Sequence, residues 1–284
     1  MKNRALLFAL FILHLMVQAA EAGPVRVVSQ TVGTDELLLA LAEPSQIAAL
    51  RHLAREAVYS ATAEEAKNYP QLSPTCDLEG ALKFGPTLIL CANYSRVELV
   101  TQARRAGLKV IVFDKYRTIE DAYENLRLLA RELGPEAEVK AERIVVDCER
   151  RIAELRKRLD GVKPVRVIAP STYGVIPGDD TTFQDLCDHA GAENLAFTLG
   201  HLHGHAAQPN EQMLTWPVDR VVLSGDNVEK ALAVFRTISP YQYMPAVKEG
   251  RVAMLKYYQL SCVTHYRING YEQLARALHP ERFP

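Results

Sequence analysis

Residues 135–160 read PEAEVKAERIVVDCERRIAELRKRLD, and the fold turns on this stretch. Apolar side chains recur at Ala137, Ala141, Ile144, Cys148, Ile152, Leu155 and Leu159. Steps of three and four draw one stripe down an α-helix. Pro135 suits the first turn, Glu136 and Glu138 complement the positive helix start, and Arg156, Lys157 and Arg158 the negative end. Gly161 supplies the stop. At about 1.5 Å per residue the helix runs roughly 36 Å, the width of a small domain. Such a helix is either an ordinary long surface helix or a strut between two lobes.

The chain on either side decides for the strut. Upstream, Val25–Ser29, Ile47–Leu50, Leu88–Cys91 and Val110–Phe113 are short runs with strand character. Helices are expected at Asp35–Leu41 with Thr34 as cap, Ser60–Lys67, Asp77–Phe84, Ser95–Ala106 and Thr118–Leu133. Downstream the same grammar restarts, with strands at Val165–Ala169, Val218–Leu223 and Val252–Leu255. Helices follow at Thr182–Ala190, from Glu211, at Asp226–Thr237 and at His265–Leu278, with Tyr173–Asp180 and Gly200–Asn210 as loops. Alternating strands and helices imply parallel sheets covered on both faces. The expectation is an α/β protein: two doubly wound, Rossmann-like lobes, 23–134 and 161–284, joined by a backbone helix at 135–160.

Residues 1–22 are expected to lie outside that fold. Lys2 and Arg4 precede the apolar run Ala5–Val17, and Ala20-Glu21-Ala22 offers a small-residue cleavage site. That order is a secretory signal peptide, so the mature chain is expected to be exported and to leave no segment in the membrane. With 33 basic and 34 acidic residues the net charge is −1, which argues against nucleic acid or an anionic membrane as partner. The five cysteines, Cys76, Cys91, Cys148, Cys187 and Cys262, include no CxxC pair and read as buried thiols. If one disulfide forms, Cys76 is the most loop-like participant. The chain has no GxxxxGK[ST] loop, no GxGxxG after a strand, no GxSxG elbow and no HExxH helix. An exported two-lobed α/β chain without catalytic motifs suggests ligand capture.

Several segments in order resemble one known group. RVVSQTVGTDELLLAL (26–41), DLEGALKFGPTLILC (77–91), the lead-in and long helix, and DTTFQDLCDHAGAENL (180–195) carry the resemblance. EQMLTWPVDRVVL (211–223), PAVKEGRV (245–252) and LARALHPERF (274–283) complete it. Together they are similar to the helical-backbone (class III) periplasmic substrate-binding proteins of ABC importers, which take up cobalamin, haem, ferric siderophores and some bare metals. One departure is Asp35, where that family usually has Glu.

The resemblance implies capture of a metal chelate in a cleft between the lobes and its delivery to a membrane permease. The chelate is the transported ligand; no cofactor, no enzymatic activity and a monomer are expected. Glu79 and Glu211 each open a short helix before an apolar strand, one per lobe. In the family such residues dock onto the permease; otherwise they are first-turn acids of their helices. Ligand contacts are expected from Arg51, His52, Ser73 and Tyr94 in the first lobe, after strand ends or in the loop before Glu79. In the second lobe they are expected from His203, His205, Tyr257 and Tyr258, with His265 nearby. His201, His203 and His205 alternate in one glycine-containing loop, so the three imidazoles either converge on a metal or form a solvated loop. Asp179 and Asp180 read as capping the helix at Thr182, or as a metal-binding pair. The alternative function is a receptor for a bare divalent metal ion. A different class, a metal-dependent hydrolase, would use the three histidines with Asp179 or Asp180 around an activated water.

Overall fold

The computed structural model describes residues 24–284, and the expected signal peptide at 1–22 lies outside them. Among the described residues no helix is long and apolar enough to cross a membrane. The first sheet contains β1 (Val27–Ser29), β2 (Ile47–Ala49), β3 (Leu88–Ala92) and β4 (Lys109–Phe113), all parallel, in the order β2-β1-β3-β4. The second contains β5 (Val165–Ile168), β7 (Ala192–Asn194), β9 (Arg220–Ser224) and β10 (Val252–Leu255), also parallel, in the order β10-β9-β5-β7. Each sheet therefore places its strands second, first, third, fourth. The central strands β1, β3 and the inner residues of β9 are buried, as parallel strands covered on both faces must be.

Seven helices of eight or more residues cover these sheets: α1 (Val32–Leu41), α2 (Val97–Arg105), α3 (Ile119–Leu133), α4 (Pro135–Arg158), α5 (Thr182–Ala190), α6 (Val228–Phe235) and α7 (Arg267–Leu278). Helix α4 is the long helix expected from the stripe, with Leu159 as its C-cap. Its fully buried positions are Ala137, Ala141, Val145, Cys148 and Leu155, while Ile144 and Ile152 are only partly covered. Val145 enters because the contact face turns gradually around a helix with 3.6 residues per turn.

Helix α4 packs against α1 and α3 of the first lobe and against α5 and α7 of the second. Charged side chains pin it at both ends. Lys140 Nζ lies 2.6 Å from Glu43 and Glu142 receives Arg127 in a fork at 2.7 and 2.9 Å; Arg151 forks onto Glu272 at 2.9 and 2.8 Å. One apolar core runs from Val27, Leu90 and Phe113 through Ala141 and Cys148 to Phe183, Leu186 and Tyr271, so the two lobes share it.

Two local expectations are revised, two elements were not foreseen, and the reading of the cysteines as buried thiols stands. The cap of α1 is Thr31 rather than Thr34; Thr34 is the third helical residue and completes a reciprocal capping box with Thr31. The Gly200–Asn210 stretch contains strand β8 (His205–Ala207), paired antiparallel with β6 (Val175–Pro177). Strand β7 and the short helix Leu195–Thr198 follow α5 without a loop between them. All five cysteines are buried and unpaired, Cys76 included.

Candidate functional site

The carboxyl ends of β1, β2 and β3 open onto a cavity of about 440 Å³. Sheet order reverses between β1 and β3, and such a switch point leaves a crevice where the following loops diverge. Gln30, Thr31, Val32 and Gly33 follow β1, Arg51 follows β2, and Tyr94, Ser95 and Arg96 follow β3. Tyr59 and Thr75 add to the first-lobe wall, and Ser261, Cys262 and Val263 close it from the second lobe.

The second lobe approaches here because Gly33 has no side chain. A Cβ at that position would stand 2.5 Å from Val263 Cγ2. Beside it, the Thr264 hydroxyl donates to Glu36 Oε2 at 2.6 Å, and the Ala61 N–H donates to Glu36 Oε1 at 2.8 Å. Glu36 is only 3% exposed, and burial raises its pKa despite those donors. Burial also raises the pKa of its neighbour Asp35, whose Oδ1 accepts the Arg51 N–H at 3.2 Å and whose Oδ2 has no partner among the described residues. Burial and the adjacent Glu36 push the Cys262 thiol up to about 12, so this cysteine is an inert thiol in the wall.

A second junction lies at the end of β4. Arg267, 1% exposed, donates to the carbonyl oxygens of Tyr116 at 2.6 Å and Arg117 at 2.8 Å, and to Asp185 Oδ2 at 2.7 Å. Tyr271 donates to the same carboxylate. The Arg117 side chain reaches Asp180 at 2.6 Å.

The expected site residues divide into two groups. Arg51 and Tyr94 line the cavity, and Ser73 stands one bond behind it, its hydroxyl 2.8 Å from that of Thr75. His52 opens the short turn His52–Arg55 and does not line the cavity. Tyr257 and Tyr258 occupy the turn after β10; they stop short of the cavity, which the next residues reach.

The fold does not gather His201, His203 and His205 into one ligand set. All three are exposed, and His203 Nδ1 is bound to Asp179 Oδ1 at 2.6 Å. Among the described residues no group of three or more His, Cys, Asp or Glu could hold a metal ion. Pairing of β8 with β6 sets the loop's shape, and the Thr181 side chain, not Asp179 or Asp180, caps α5. His265 is 6% exposed and does not line the cavity.

Sequence reading missed Gln30–Gly33, Glu36, Tyr59, Arg96 and Ser261–Val263. A signal for the first of these was present. The rule that ligands collect after strand ends applies to β1 as much as to β2 and β3.

Residues 27–258 match the family described as "Periplasmic binding protein". No curated protein matches the chain by sequence. Among solved structures, the periplasmic haem-binding protein RhuT from Roseiflexus superposes with a TM-score of 0.76 at 20% identity, covering 92% of this chain and 100% of that one. A periplasmic haem-binding protein from Pseudomonas aeruginosa gives 0.74 at 19% identity, covering 90% and 93%. CeuE from Helicobacter pylori, solved with Ni(II) bound, gives 0.70 at 16%, covering 93% and 86%. At these identities the likeness is one of fold.

Proposed function

The chain belongs to the periplasmic binding protein family, and on that premise we propose that it captures a metal chelate between its lobes and hands it to the permease of an ABC importer. The chelate classes that fit are a cobalamin-type corrinoid, a ferric siderophore and haem, and two of the similar structures are named as haem-binding proteins. The observation that carries the reading is the cavity of about 440 Å³ at the first lobe's switch point, closed by Ser261–Val263. Its size falls within the usual range of small-molecule sites, roughly 300–1,000 Å³. Tyr59 and Tyr94, 55% and 60% exposed, offer faces for a planar ligand, and Arg51 and Arg96 offer charge. No metal-ligand set of three side chains is on offer among the described residues, which favours a chelate over a bare divalent ion.

In this reading the protein binds its ligand and does not transform it. Residues 1–22 direct export to the periplasm, the lobes divide at 134/135 and 160/161, and the chain acts as a monomer. Glu79 and Glu211 are the permease contacts. Each is exposed on a short helix, Leu78–Leu82 or Asn210–Met213, directly before the third strand of its sheet. Two carboxylates at equivalent places in the two lobes can orient the receptor over basic permease residues.

Equilibrium dialysis against haemin, cobalamin, a ferric siderophore and divalent cations tests the proposal. At least one chelate should bind with micromolar or tighter affinity, and the bare cations should not. Binding of a bare cation alone overturns it.

A further inference from the structure

Helix α4 covers the shared core with one face and leaves the opposite face bare. Val139 and Val146 are 51% and 62% exposed there, and Ala153, one heptad further on, is exposed too. At about 100° per residue the three fall within roughly 20° of one line. Single exposed apolar residues are ordinary, but a line of them at seven-residue spacing is the seam along which helices pack. The surface along 138–150 is lined by α4 alone, so no neighbouring element overhangs it.

The charges beside this line are sorted by sign. Glu142 and Glu149 stand roughly 40–60° to one side of it, and Arg143 and Arg150 as far to the other. Among the described residues Arg143 and Glu149 form no salt bridge. Glu142 is held by Arg127, and Arg150 by Asp147 and Glu154, in exposed pairs worth about 1 kcal/mol or less that leave room for a further partner. Glu138, Asp147 and Glu154 lie further round the helix, at roughly 80–100°, outside the reach of a helix-to-helix contact.

Acid on one edge and base on the other make this face complementary to itself in one orientation. Turning a second copy about an axis parallel to α4 sets each valine on its counterpart, and the acidic edge of each helix on the basic edge of the other. An antiparallel pair would set acid on acid and base on base. We propose that the outer face of α4 is a self-association surface, on which a second copy of this chain packs its own α4 in parallel, Val139 and Val146 on themselves and Glu142 and Glu149 against Arg143 and Arg150. About four turns of helix cover far less than the roughly 1,200–2,000 Å² of stable complexes, so the pairing is weak and forms at high concentration. Helix α4 lines no part of the cavity and carries neither Glu79 nor Glu211, so each copy captures and delivers as a monomer.

The test is sedimentation of the purified protein from about 10 μM to about 1 mM. The weight-average mass should climb from that of one chain toward that of two, and added salt should lower it. Val146→Glu, at a site too exposed to disturb the core, should hold the mass at one chain throughout. Orientation is read by oxidising surface-cysteine variants, since all five native cysteines are buried. Val139→Cys should cross-link to its own kind. Mixed with Ala153→Cys it should give no 139–153 bond, because those positions stand roughly 21 Å apart along a parallel pair. A mass that stays at one chain up to the highest concentration overturns the proposal. So does association that survives Val146→Glu, a Val139→Cys variant that associates without cross-linking, or a mixture in which the 139–153 bond prevails.

Discussion

His265 shows how position alone changes a side chain's chemistry. Burial, reinforced by Arg151, pushes its pKa down to about 4, and its Nδ1 has no partner among the described residues. The folded protein therefore refuses a proton that the unfolded chain takes up near pH 6.5. Stability from this group is complete above that pH and is lost as pH falls from about 6.5 to about 4. The loss is on the order of 3 kcal/mol. In His265→Leu the acid limb of the stability profile should flatten by that amount between pH 7.5 and 4.5 in urea melts. Identical profiles for variant and parent would sink the assignment. From the sequence, His265 looked like a cleft residue along with Tyr257 and Tyr258, because all three follow the last strand. Only the packing around α7 separates the buried histidine from the exposed Tyr257 and from the cavity-lining Cys262.

At the scale of elements, one ion pair ties α4 to the second lobe and another, within the second lobe, holds the Arg267 that donates across to the Tyr116 and Arg117 carbonyls of the first, and the two pairs differ in burial. Arg151 is a quarter exposed on its helix and forks onto Glu272, whereas Arg267 and Asp185 are almost wholly buried. Removing one partner of a buried pair strands a charge and costs about 3–5 kcal/mol, while partly exposed pairs are worth about 1. Arg267→Met should therefore destabilise by several times more than Arg151→Met in chemical denaturation. Equal costs would show that Arg267 is no rivet between the lobes. Helix α4 was legible because its period of apolar residues is a local property of the chain. Strands β6, β7 and β8 (VIP, AEN, HAA) were not, because none sits in a longer apolar run and each owes its existence to pairing with another strand.

For the whole molecule, the shared core and the continuous helix limit how far the lobes can move. Bending α4 would break backbone hydrogen bonds, and opening the lobes would expose the packing around Ala141, Cys148 and Tyr271. Saturating the protein with whichever chelate it binds should leave its small-angle scattering radius nearly unchanged. A clear ligand-dependent contraction would mean that α4 is a hinge and not a strut.

The sequence by itself determined the strut, the α/β alternation on both sides of it, and two of the cavity's residues, Arg51 and Tyr94. These follow from periodicity and from the rule that loops after parallel strands collect ligands, both written in short stretches of chain. The tertiary structure alone decided the matching strand order of the two sheets, since pairing between parallel strands is non-local. It also decided that Ser261–Val263, not the three loop histidines, meet the first lobe at the cavity. That outcome depends on Gly33 leaving room for Val263, a contact between residues 230 positions apart that no local pattern records.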